Sequence, residues 1–215
     1  MYSGASRESV ERARLLLGER TPLHGVVADL ADTDAPNALV TEVQQVFGHL
    51  DILINNAGVA GSTDPWTVDP AEWDHVQAVN LRAAFFCARE AVLAMPGRAG
   101  GSIVNISSVA AQIGGAATGP AYVAAKAGMI GLTRSLARHF APLGVRVNCI
   151  APADIETDMT ASWPASLRDR LKGMTPLGRF GCVDEIASAA LFLAGPSSSF
   201  ITGQTMNVNG GIYMG

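Results

Sequence analysis

Tyr122 and Lys126 stand four residues apart in the run Tyr122-Val-Ala-Ala-Lys126, among small apolar neighbours. On a helix this spacing puts both side chains on one face, about 6 Å apart. An ammonium beside a phenol stabilises the phenolate. The pair therefore predicts a tyrosine lowered from its usual pKa of about 10 and able to act as general acid or base. Two further stretches carry groups suited to the same work. Ser107 and Ser108 follow the apolar run 102–106, and Asn55-Asn56-Ala57-Gly58 closes the apolar run 52–55. At the carboxyl end of a parallel strand, a hydroxyl can donate to a carbonyl oxygen or a developing alkoxide. Small residues there let a flat ligand approach the backbone. Taken alone, a serine after a strand is as well a turn residue or a cap, and the Asn-Asn-Ala-Gly stretch only a turn.

Short apolar runs at 23–28, 52–55, 102–106, 145–150 and 205–208 alternate with longer helical patterns, which predicts an α/β domain with a parallel sheet. Helices are expected over 9–17, ending at Gly18, and from a Thr33 cap to Phe47, closed by Gly48. Asp69-Pro70 supplies a cap and a first-turn proline for one long helix through about Ala94. Further helices are expected over 121–140 and 184–194, with glycine-rich loops at 97–101 and 114–119.

The chain has 215 residues, 48% hydrophobic and 16% charged, enough to bury one large core and too apolar for a disordered chain. A net charge of −4 argues against a binder of nucleic-acid backbones, which needs a basic face. The apolar runs are too short for a membrane span, and no signal peptide is evident, so a cytoplasmic protein is expected. Cys87, Cys149 and Cys182 are far apart and fit no zinc spacing, which predicts buried free thiols and no metal site. His24, His49, His75 and His139 are scattered and read as surface or helix-end residues.

Together these stretches resemble the short-chain dehydrogenase/reductase family, and within it the 3-oxoacyl-carrier-protein reductases. The matching residues are Asp29, Asn55-Asn56-Ala57-Gly58, Asn80, Ser108, Tyr122, Lys126, Val147-Asn148, Pro152, Thr157, Pro176-Leu-Gly-Arg179, Asp184-Glu185, and the tail from Phe200-Ile-Thr-Gly203 to Asn209-Gly-Gly211. They run in family order along essentially the whole chain. The resemblance implies one Rossmann-like domain over 1–215, a doubly wound parallel sheet with helices on both faces. It also implies hydride transfer between NAD(P)H and a ketone or secondary alcohol, with a 3-oxoacyl thioester or polyketide-like ketone as the substrate class.

By the same resemblance Tyr122 protonates the carbonyl oxygen, Lys126 holds the cofactor ribose, Ser108 orients the substrate and Asn80 supports a proton relay. Asp29 contacts the adenine, while Asn55, Ala57 and Gly58 flank the adenosine ribose. Pro152, Ile155 and Thr157 line the nicotinamide. Residues 153–172 form a lid from which Met159, Trp163 and Leu167 touch substrate, ordinary packing being the alternative. A homotetramer or homodimer is implied, and the apolar Ala83, Phe85 and Phe86 suit a helix that needs a second partner.

Three departures stand out. The family's proline–glycine pair is Pro152-Ala153 here, which strains the turn if a positive φ is required. The loop between Ser108 and Tyr122 is one residue longer than usual. None of the 23 glycines forms G-x-G-x-x-G or G-x-x-x-G-x-G, so the family's opening strand, glycine-rich turn, helix and strand are missing from the sequence. Those two strands belong in the middle of the sheet. The expectation is an incomplete reading of a longer protein, the alternative a rearranged sheet. The function of the sequence as it stands is then either the reductase or a non-catalytic binding or assembly protein that cannot hold dinucleotide. Ser3, Ser6 and Arg7 would fall where a 2′-phosphate binds, which favours NADPH over NADH, a solvated loop being the alternative.

Overall fold

The computed structural model describes residues 1–18, 23–95 and 100–215, without the side chain of Met159. It contains six parallel strands, β1 (Tyr2–Gly4), β2 (Gly25–Val27), β3 (Ile52–Asn55), β4 (Gly101–Ile106), β5 (Val145–Pro152) and β6 (Thr205–Val208). The helices are α1 (Arg7–Leu17), α2 (Ala35–Phe47), α3 (Pro70–Gln77), α4 (Ala83–Ala94), α5 (Ala110–Ile113), α6 (Pro120–Phe140), α7 (Asp158–Ala161), α8 (Ala165–Met174) and α9 (Val183–Ala194). None among the described residues is long and apolar enough to cross a membrane.

Alternation along the strands separates two apolar layers. Ile103, Val145 and Val147 face Ala88, Ala91, Met95, Leu136 and Ala137 of α4 and α6. On the opposite face Val104, Ile106 and Ile150 pack with Leu193 of α9. All six residues of β4 are buried, as expected of a strand covered on both sides. Arg146 on β5 reaches the end of α9, where its guanidinium donates to the carbonyls of Leu193, Ala194 and Gly195 and to the Ser198 hydroxyl. It thereby satisfies carbonyls that a helix end leaves without partners.

The sheet is in two blocks, β2-β1 and β3-β4-β5-β6. Between them lies a cavity of about 750 Å³ lined by Tyr2 and Ser3, by residues 51–57, and by Val40, Val43 and Phe47 of α2. The rearranged sheet is therefore not what forms, because β1 and β3 do not pair across this space. Each has one strand neighbour among the described residues, and Ile52 and Ile54 are left 45% and 40% exposed.

Other expectations need correction. Tyr2–Gly4, for which no strand was expected, is a strand paired with β2. The helix expected from Thr33 begins at Ala35, with Asp34 at its N-cap. Asp69 does cap α3, its carboxylate accepting from the Glu72 amide at 2.8 Å, but the long helix is broken by a π turn over Ala78–Arg82. Cys87 and Cys149 are buried and pushed up to about 11, mainly by burial, whereas Cys182 is exposed. Of the loop at 97–101, residues 97–99 lie outside the described residues. The loop at 114–119 absorbs its extra length with Gly114 and Gly115, both at positive φ.

Candidate active site

Strands β4 and β5 run in register to Ile106 and Ile150, and the chain beyond them stays tied. Ser107 donates its N–H to the Ile150 carbonyl at 2.8 Å, and Val109 donates to Pro152 at 2.7 Å. The buried Ser107 hydroxyl donates to the Lys126 carbonyl at 2.7 Å, which pins α6 across the end of β4. Helix α6 starts at Gly119 with Pro120 in its first turn. A Cβ built on Gly119 would run into the backbone carbonyl of Ser62, so only glycine lets the 59–63 loop pass this close.

That anchoring brings four of the expected residues together. Lys126 is 3% exposed, and its ammonium donates to the Ile106 carbonyl at 2.8 Å. Burial pulls it down to about 8. The Ser108 side chain lies near enough to the Tyr122 hydroxyl to favour its ionised form, and its oxygen accepts from the Ala110 amide at 3.1 Å. Asn80 is fully buried inside the π turn, its amide donating to Val59 and Val76 carbonyls, both at 2.9 Å, and its oxygen accepting from the Val59 amide. A Cβ on Gly58 would sit 2.6 Å from Asn80 Oδ1 and 3.3 Å from Lys126 Nζ, so this glycine fills the corner between them.

The phenol expected to be lowered is instead raised. Burial is the largest cause, the Ser108 bond opposes it, and the Asp154 carboxylate adds to it. Lys126 does not reverse this, because its ammonium is committed to Ile106 and lies 5.6 Å from the Tyr122 ring centroid.

The remaining expected residues fall elsewhere. Asp29 is exposed at the end of β2, across the cavity, and its carboxylate accepts from the Ala31 amide at 2.9 Å. The Asn55 side chain is already engaged, donating to Asn105 at 2.9 Å, and Asn105 donates onward to Thr133. Asn55 and Ala57 line the cavity between the two sheet blocks, and Gly58 is exposed beyond it. Pro152 ends β5, Ile155 and Thr157 follow it, and Thr157 caps the short α7. Ala153 has no positive φ, so the anticipated turn strain is absent. The Met159 side chain lies outside the described residues. Trp163 packs edge-on against Phe180, with ring centroids 6.4 Å apart, and Leu167 is half-buried. Residues the sequence reading passed over are Gly119, the Asn105–Thr133 link and Asp154. The first two depend on contacts distant in sequence, whereas Asp154 stands inside a stretch already singled out.

A nicotinamide riboside end fits these residues. Lys126 has three N–H donors and makes one hydrogen bond, so donors remain for ribose hydroxyls beside the Gly58 surface. The pyrophosphate has no glycine-rich cradle in this sequence.

The family model described as enoyl-(acyl carrier protein) reductase matches residues 2–213. The 3-oxoacyl-[acyl-carrier-protein] reductase FabG of Staphylococcus aureus (strain Mu50 / ATCC 700699) is 38% identical over 213 residues, covering 99% of this chain and 86% of the relative. The enzyme of the same name from Vibrio cholerae is 38% identical over 190 residues, 88% of this chain and 78% of the relative. A crystal structure of the Brucella melitensis short-chain dehydrogenase/reductase SDR:Glucose/ribitol dehydrogenase superposes with a TM-score of 0.91 at 34% identity, over 99% of this chain and 85% of that one. The fold, the family match and these relatives are those of a nicotinamide-dependent oxidoreductase. This chain belongs to the short-chain dehydrogenase/reductase family. The non-catalytic alternative finds no support among these relatives.

Gly119→Ala should force the start of α6 away from the 59–63 loop. An overpacked contact of this kind costs about 3 kcal/mol, which lowers the thermal midpoint by roughly 6–12 °C. Calorimetry on both proteins checks this, and an unchanged midpoint contradicts the close approach.

Proposed function

We propose that the protein reduces a 3-oxoacyl or polyketide-like ketone, free or as an acyl thioester, using NADPH, with Tyr122 protonating the carbonyl oxygen. The observation that carries this reading is the convergence at the end of β4 of Ser108, Tyr122 and the buried Lys126 ammonium, with Asn80 and Gly58 beside them. A phenol is protonated at neutral pH, as a proton donor to a developing alkoxide must be. The Ser108 hydroxyl orients the substrate oxygen. Lys126 supplies its ammonium to the ribose hydroxyls, and Asn80 supports a relay from its place beside Gly58 and Lys126. Pro152, Ile155 and Thr157 line the nicotinamide, which when bound supplies the hydride. Ala57, Gly58, the Asn55 backbone and Asp29 border the adenosine side, and Met159 and Trp163 belong to the cover over the substrate. The enzyme works in the cytoplasm.

Tyr122→Phe should lower kcat for an acetoacetyl thioester about a thousandfold while leaving the urea unfolding midpoint nearly unchanged. Undiminished reduction by this variant would remove Tyr122 from its role. In the wild type, kcat should decline as pH rises through about 8, where Lys126 loses its charge.

The preference for NADPH rests on the start of α1. Ser6 caps the helix, and Ser3 and Arg7 are exposed beside it, so a phosphate there meets helix amides and a guanidinium. Arg7→Ala should raise KM for NADPH at least tenfold and leave KM for NADH unaltered. An equal change for both cofactors contradicts this placement.

Self-association, as a homotetramer or homodimer, is supported by apolar residues left in solvent. Leu191, Phe192 and Val183 on α9 are exposed, and Phe200 beyond it is fully exposed. Sedimentation velocity should show a species larger than the 22.3 kDa chain, reduced in size by Phe200→Ser. A monomer at micromolar concentration rules the association out.

A further inference from the structure

Asp154 is a half-buried acid just past the end of β5, and nothing in the reaction outlined above uses it. Its backbone is held on both sides. Ala153 donates to Val208 at 3.3 Å, Gly181 donates to the Asp154 carbonyl at 3.0 Å, and Ile155 bridges to Gly181. The segment is extended, so successive side chains alternate in direction. Ala153 and Ile155 both line a cavity of about 600 Å³ formed with residues 207–215. Asp154, between them, does not line that cavity. The Val109–Pro152 bond places it just past the level of Ser108, and its charge acts on the Tyr122 hydroxyl.

The carboxylate has no hydrogen bond or ion pair among the described residues. Neighbouring cations are taken by other acids, Arg179 by Glu185 at 2.7 Å and Arg168 by Glu156 at 2.8 Å, and Lys126 is bonded to Ile106. Burial raises the Asp154 carboxyl with no positive charge to offset it. The carboxylate oxygens are not sealed off, so a ligand that brings a donor can reach them, and an acceptor drawn partly out of water gains from that donor. We infer that Asp154 is a substrate-recognition residue that accepts a hydrogen bond from a hydroxyl or ammonium group a few atoms from the reducible carbonyl. The substrate is then an oxygenated, polyketide-like ketone rather than an unadorned 3-oxoacyl chain. This rests on the reductase reading and narrows its substrate class.

Matched small ketones test it. Butanone, hydroxyacetone and aminoacetone differ mainly in the group at one position, and 4-hydroxybutan-2-one moves the hydroxyl one carbon further. With NADPH, at least one donor-bearing ketone should show kcat/KM tenfold or more above butanone, mostly through KM. Asp154→Leu should bring that ratio close to one, and Asp154→Asn should give an intermediate value. Hydroxyl and ammonium arms show which donor is preferred. Equal kcat/KM for all four ketones in the wild type, or a ratio unchanged in Asp154→Leu, overturns the inference while the reductase reading stands. Absence of all turnover instead removes the reductase reading. Saturation-transfer NMR of the same ketones then reads the Asp154-dependent preference from binding, and equal saturation in wild type and Asp154→Leu overturns the inference there too.

Discussion

The arrangement turns on one buried positive charge. The Lys126 ammonium sits almost wholly out of water with one backbone carbonyl as its hydrogen-bond acceptor. Burying a cation is unfavourable, and here it lowers the group to about 8. The surroundings are shaped to keep it in place. Ser107 ties the Lys126 backbone to the end of β4, Ile106 takes the ammonium, and Gly58 and Asn80 close the remaining side without a Cβ between them. Tyr122, one turn earlier on α6, has little positional freedom left. The tyrosine proposed as proton donor is thus placed by the lysine even though the lysine does not lower its pKa in this structure.

Asn80 shows how a helix interruption serves the same end. An amide inside a regular helix has no backbone donors or acceptors to meet. The π turn over Ala78–Arg82 frees the Val76 carbonyl, which Asn80 takes together with both backbone groups of Val59. The loop after β3 is thereby fastened to the helix, and Gly58 is carried up to Lys126. A single side chain holds two segments 21 residues apart in register.

Much of this could be read from residues alone, and the parts that could not share a cause. Strands β3 and β6 were expected at their observed bounds, and α6 and α9 began within one residue of expectation, because apolar period and proline or glycine punctuation are local signals. The π turn was missed because it depends on Val59, far away in sequence. The direction of the Tyr122 shift was missed because a spacing of four names a neighbour but says nothing of how deeply the pair is buried. Asn55 was assigned to a ligand for a similar reason, since its partner Asn105 comes from the adjacent strand. Cys182 looked buried because cysteines usually are, yet it lies at the exposed start of α9.

The division of the sheet follows the division of labour. Ser108, Tyr122, Lys126 and Asn80, the groups proposed to handle the proton and the substrate carbonyl, are attached to the β3–β6 block, which has both apolar layers and a complete β4–β5 centre. Asp29, Ser3 and Arg7, the groups assigned to the far end of the dinucleotide, belong to the two-stranded block beyond the cavity. Helix α2 joins the blocks by packing on α4, and Arg82 of the π turn donates to the Ala31 carbonyl. A change in the cavity can therefore alter the grip on the adenosine end while Ser108, Tyr122 and Lys126 keep their geometry. Asp154, held by β6 and Gly181 on the far side of β5, is isolated from the cavity by the whole width of the intact block. Selection among ketones and grip on the cofactor are for that reason physically separable in this fold.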